Sequence, residues 1–216
     1  MTDLEIGGAL GGFHVIGLTR VLGGAVCIQL LLDHGAKVRD WGPPFKDGLS
    51  AYFSGINRNK RSVGLDMRAE CGQEVLFQLL EGADVMIHNF KACSLENWGI
   101  GYEDALAKRF PTLIYCSITG FGADGPFGGF PGYDAVAQAL SGQISVNGSP
   151  ESGPVRIGVP IIDLATGLYA SIGILMAAQE RRRSGLGQRV DASLFNTGVA
   201  LLHPHAANYF MSGKTP

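Results

Sequence analysis

Asp163 stands alone at the threshold of a charge-free run, residues 164–178. A carboxylate in that position has two uses. It can accept the free N–H groups of a helix's first turn as an N-cap, or it can attack an electrophilic carbonyl and carry a covalent acyl intermediate. Spacing alone favours the cap. A second concentration of chemistry is Asn57, Arg58, Asn59, Lys60 and Arg61, with Arg68 just beyond. Such a run is either a solvated surface or a set of phosphate contacts on an irregular loop. Gly120-Phe121-Gly122-Ala123-Asp124-Gly125 fits the dinucleotide-binding spacing, but Pro126, Gly128 and Gly129 continue it as a loop and Asp124 would repel a pyrophosphate. His203 and His205 are too few for a metal site, and His14, His34 and His88 have no partner that spacing identifies.

The elements that must position these residues alternate. Strands are predicted over 14–18, 36–41, 61–66, 84–88, 113–118 and 188–193. Helices are predicted through 27–32, over 70–81, 95–108 and 133–140, from Asp163 to the Arg181-Arg182-Arg183 run, and from Leu194 onward. This order predicts a doubly wound α/β fold with a mainly parallel, Rossmann-like sheet, helices on both faces, and ligands beyond the carboxyl ends of the strands. Small residues scattered among large ones after Asp163 predict a helix covered on nearly every side. Gly185 or Gly187 can cap its C-terminus, where the three arginines suit the helix dipole.

With 216 residues, 46% hydrophobic and 17% charged, the chain can bury a sizeable core. A formal net charge of -2 gives no reason to expect nucleic acid or a membrane surface as partner. Cys27, Cys71, Cys93 and Cys116 are too scattered for a zinc site and read as thiols in a reducing compartment. The acidic start lacks the pattern of a secretory signal, so a cytoplasmic location is expected. The apolar run at 161–178 contains Asp163 and several small polar residues, which favours a buried helix over a membrane span.

Six blocks then recur in order: Leu18-Thr19-Arg20-Val21-Leu22, Asn57-Arg58-Asn59-Lys60-Arg61-Ser62, Asn89-Phe90, Ser117-Ile118-Thr119-Gly120-Phe121-Gly122, Pro131-Gly132-Tyr133-Asp134 and Gly185-Leu186-Gly187-Gln188-Arg189-Val190-Asp191. From about Gly12 onward the chain resembles the class III CoA-transferases, which include formyl-CoA and carnitine CoA-transferases and the related α-methylacyl-CoA racemases. The resemblance implies that Asp163 attacks an acyl-CoA thioester, passing through a mixed anhydride and an aspartyl-CoA thioester before CoA reaches an acceptor acid. A helix N-terminus beside Asp163 would keep it ionised and supply oxyanion donors. Coenzyme A enters as a co-substrate, with no metal, nicotinamide or flavin. The implied CoA contacts are Leu22 and Gly23, then Leu65, Asp66, Met67 and Arg68 by the adenine and ribose, and Asn89 and Phe90 near the pantetheine arm. Arg58, Lys60 and Arg61 are the candidate phosphate contacts.

The resemblance also implies an N-terminal extension over 1–12, a CoA-binding large domain over 13–210, and at 211–216 the start of a linker to a small domain absent from this chain. Family members are about twice as long and pair as interlocked homodimers, so a complementing C-terminal half is the expected alternative partner. Asp40, Gly42, Ala25, Ala92-Cys93 and Asn97 depart from the common pattern, the Ala92-Cys93 pair replacing a frequent proline-glycine. Tyr133 stands where the racemases carry a catalytic histidine, which favours transfer over racemisation. Racemisation and a catalytically incomplete CoA-binding fragment or subunit stand as the alternatives.

Overall fold

The computed structural model describes residues 8–19, 22–32, 45–46, 49–50, 55–56, 60–61 and 63–215. Asp40, Gly42, Arg58 and the strand expected over 36–41 lie outside the described residues.

Four strands form one parallel sheet in the spatial order of the chain: β1 (Val15–Leu18), β2 (Val85–His88), β3 (Ile114–Thr119) and β4 (Arg189–Ser193). Their side chains alternate between two buried faces, as parallel strands require when helices cover both sides. On one face Val85, Ile87, Ile114, Cys116 and Ile118 pack against α1 (Gly23–Leu32) and the long carboxyl-proximal helix Ile161–Ser184. On the other, Met86, Leu113 and Tyr115 pack against α2 (Glu70–Leu80) and the segment 95–106. The doubly wound architecture therefore holds.

The expected helix over 95–108 is three pieces: α3 (Ser94–Asn97), a π-helical turn Tyr102–Leu106, and α4 (Ala107–Arg109). Gly99, at φ 75°, turns the chain between the first two. The third expected strand, 61–66, is not a strand among the described residues. Val63 is 62% exposed there, and Asp66 folds back to accept the Arg68 N–H and guanidinium in a local turn. Further on come α5 (Asp134–Leu140), α6 (Ile161–Ser184), α7 (Leu194–Leu201) and α8 (His205–Ser212). The single run expected after Leu194 is thus two helices, separated by Pro204.

α6 is half covered, contrary to the all-round burial its composition suggested. Ile162, Ala165, Gly167, Ala170, Ser171, Ile174 and Ala177 are buried, whereas Leu168, Tyr169, Ile172, Leu175 and Met176 are each about half exposed or more. The small residues explain the asymmetry, because they let α1 approach. A Cβ on Gly167 would lie 2.9 Å from the Gly23 carbonyl oxygen and 2.9 Å from Val26 Cγ1. The large residues then point the other way. At its far end α6 is tied to the sheet through Arg181, whose guanidinium donates to Asp84 Oδ1 at 2.6 Å and to the Thr112 carbonyl at 3.1 Å. Gly185, at φ 75°, closes the helix.

Candidate active site

The carboxyl end of β1 leads into α1, that of β2 into Asn89 and Phe90, and that of β3 into the glycine-rich loop before α5. The first turn of α6 comes to the same end of the sheet, because α6 packs along α1 with Gly167 against Gly23 and Val26. The site therefore lies where an open parallel sheet places its ligands.

Asp163 is the third residue of α6, and the N-cap position belongs to Pro160. The cap reading of Asp163 is corrected: its carboxylate accepts no hydrogen bond among the described residues, although it is only 8% exposed. The capping acid is Asp134, at the start of α5. Its Oδ2 accepts the N–H groups of Ile162 at 2.9 Å and Asp163 at 3.1 Å, and its Oδ1 accepts from the Gln138 amide. Gln138 Oε1 in turn accepts the Ile157 N–H at 2.9 Å, which holds the segment leading into α6.

This arrangement leaves Asp163 without the α6 amide donors that the expectation assigned to it. The helix amides are spent on Asp134, and burial, with the negative charge of Asp134 adding to it, pushes the Asp163 carboxyl up to about 6. The carboxylate faces the start of α1, where Gly23 leaves room for it. A Cβ there would sit 3.3 Å from Asp163 Oδ1.

A cleft of about 740 Å³, reached from the carboxyl end of β2 at Phe90, is lined by Gly64, Leu65, Asp66, Met67, Arg68, Phe90, Lys91, Ser94 and Trp98. Five of the residues singled out for CoA, Leu65, Asp66, Met67, Arg68 and Phe90, lie in its wall. Asn89, which precedes Phe90, is not in the wall but approaches α1, since a Cβ on Gly24 would be 3.5 Å from Asn89 Cγ. Leu22 and Gly23 lie at the start of α1, the Leu22 carbonyl accepting from the Val26 N–H at 2.7 Å. Lys60 and Arg61 are not in the cleft wall; Lys60 Nζ instead donates to the Ala25 carbonyl at 3.4 Å, in the first turn of α1. Arg68 is exposed and paired with Asp66 at 3.0 Å.

Spacing did not point to Asp134, Gln138, Lys91, Ser94 or Trp98. Asp134 and Gln138 do share a helix face at i, i+4, which is a signal of sorts, but their partners lie some twenty to thirty residues away in sequence and no spacing reveals them.

Fold and site together define an α/β domain with a buried carboxylate that accepts no hydrogen bond among the described residues and, at the end of β2, a ligand-sized cleft. The chain belongs to CoA-transferase family III, whose sequence profile matches residues 10–216. It is 40% identical to a succinate–glutarate CoA-transferase of Agrobacterium fabrum, over 96% of this chain and 56% of that protein. It is also 40% identical to a mouse succinyl-CoA:glutarate CoA-transferase, over 95% of this chain and 50% of the relative. Among solved structures, a CAIB/BAIF family protein from Brucella suis superposes with a TM-score of 0.89 at 42% identity, covering 97% of this chain and 59% of that one. The chain thus spans about half the length of the curated relatives it matches.

Proposed function

We propose that this chain carries the nucleophile and the CoA-binding wall of an enzyme that moves CoA between carboxylic acids. The observation that carries the reading is Asp163, a buried carboxylate that accepts no hydrogen bond among the described residues and faces Gly23 at the start of α1, the helix that Asn89 approaches one residue before Phe90 enters the cleft wall. A desolvated carboxylate of raised basicity is a better nucleophile than a hydrated one. In the proposed sequence one Asp163 oxygen attacks the thioester carbonyl, and CoA thiolate leaves a mixed anhydride. The thiolate then attacks the Asp163 carbonyl, releasing the donor acid and forming an aspartyl-CoA thioester. An acceptor carboxylate attacks that thioester, and the returning thiolate takes the new acyl group, restoring the Asp163 carboxylate. The start of α1 packs against Asp163 at Gly23, and its first N–H groups, which have no intrahelical partner, are the proposed donors to the tetrahedral oxyanions.

Dicarboxylates are the proposed acids, because relatives are named for succinate with glutarate, for succinyl-CoA with mesaconate, and for acetyl-CoA with oxalate. The exposed apolar stripe on α6 supports a second copy or a complementing C-terminal half as partner. Four free cysteines suit the proposed cytoplasmic location. Native protein incubated with succinyl-CoA and then hydroxylamine is expected to yield a hydroxamate at Asp163. Turnover persisting in Asp163→Ala would sink the assignment.

A further inference from the structure

His88 is the last residue of β2, 4% exposed, directly behind the Asn89-Phe90 corner of the cleft. Its Nδ1 receives the Phe90 N–H at 3.3 Å, and its Nε2 lies 2.7 Å from the Tyr115 hydroxyl. Burial, aided by the positive charge of Arg189, lowers its pKa to about 4, so the ring is neutral at physiological pH. A neutral imidazole has one donor and one acceptor. The amide N–H of Phe90 can only donate, which makes Nδ1 the acceptor and leaves Nε2–H to donate to the Tyr115 oxygen. Tyr115 is fixed deep in the core, stacked on Tyr102 with ring centroids 4.8 Å apart. The His88 ring also stacks on that of Phe90, centroids 6.0 Å apart, and Phe90 meets Trp98 edge-on at 5.3 Å. Core tyrosine, histidine, backbone amide and cleft aromatic thus form one connected line.

We infer that His88 is a positioning residue for the thioester co-substrate: it fixes the Asn89-Phe90 bend so that Phe90 stays in the cleft wall while Asn89 turns toward the start of α1. The inference rests on the proposal that this cleft holds part of CoA. His88 itself touches no substrate, so its effect should fall on binding and leave the chemical step alone.

The test uses variants that separate the two ring nitrogens in the native protein. His88→Asn keeps an acceptor within reach of the Phe90 N–H. His88→Phe keeps a stacking ring and loses the acceptor. CoA affinity is read by titration, and KM and kcat by transfer from succinyl-CoA. The Phe variant is expected to raise Kd for CoA and KM for the thioester about tenfold, with kcat within about twofold of wild type. The Asn variant should restore both to within about threefold. Where His88→Phe does not fold, His88→Gln carries the same expectation, since its longer amide reaches Tyr115 and leaves the Phe90 N–H without an acceptor. Equal affinities in the Asn and Phe (or Gln) variants, or a fall in kcat at unchanged KM, overturn the inference. Wild-type protein that fails to bind CoA overturns the cleft assignment and this inference together, whereas wild-type binding with an unmoved His88→Phe overturns the inference alone.

Discussion

The two ends of α6 treat charge in opposite ways. At its C-terminal end Arg181 is held by Asp84 and the Thr112 carbonyl, Arg183 pairs with Glu180 at 2.9 Å, and Gly185 closes the last turn. The Arg181 contacts and the Gly185 cap hold the fold, while the exposed Arg183–Glu180 pair adds little. At the N-terminal end Asp134 is treated the same way: it is 6% exposed and takes two backbone amides and a side-chain amide. Asp163, about as buried, gets none among the described residues. A buried carboxylate without donors is a cost to the fold, and one at the ligand end of a parallel sheet is where chemistry is expected.

The contrast can be broken most severely at its centre. Asp163→Ala is expected to reduce transfer by at least about 10³-fold, while Arg181→Ala leaves kcat within about twofold; steady-state assays of both variants decide it. Stability should move the other way. A carboxyl raised from 3.8 to about 6 by folding disfavours the folded state once it must ionise. That penalty is absent below about pH 4, grows as pH rises to 6, and reaches about 3 kcal/mol above it. Asp163→Asn should therefore raise the stability measured by denaturant titration at pH 7 and leave it nearly unchanged at pH 4. The same titration predicts that acylation by succinyl-CoA falls as pH drops through about 6.

Arg181→Ala should instead lower stability, by about 1–2 kcal/mol, because its pair with Asp84 is partly buried and its carbonyl contact would be lost too. Equal melting curves for the variant and wild type would contradict the structural role given to that end. The smallest effect is expected at Cys93, held at φ 62°, a left-handed conformation that glycine adopts without strain. Cys93→Gly should add about 1 kcal/mol.

Much of this was legible in the chain. The alternation of strand and helix revealed the parallel sheet, and an acid before sixteen uncharged residues marked Asp163. The departure at Ala92-Cys93 from a proline-glycine pattern was legible too, but the left-handed φ of 62° at Cys93 is known only from the fold. What escaped depended on distance. Asp134 takes over the capping role because the fold brings it to amides 28 and 29 residues away, and His88 finds Tyr115 across 27 residues. The strand expected over 61–66 failed for a local reason. Gly64 interrupts a short run, and the Asp66 side chain prefers its own turn with Arg68. The exposed side of α6 escaped because composition shows how apolar a helix is, and only packing shows which side the small residues bring inward.

The central claim is that Asp163 itself passes through an anhydride with each acid. Transfer to a dicarboxylate acceptor labelled with oxygen-18 in its carboxylates tests this directly, with mass spectrometry of the peptide containing Asp163 and of the released donor acid. The account predicts label in the Asp163 carboxylate after one turnover and in the donor acid after further turnovers. Label confined to the acceptor and its thioester, with Asp163 unlabelled while CoA is transferred, would contradict it.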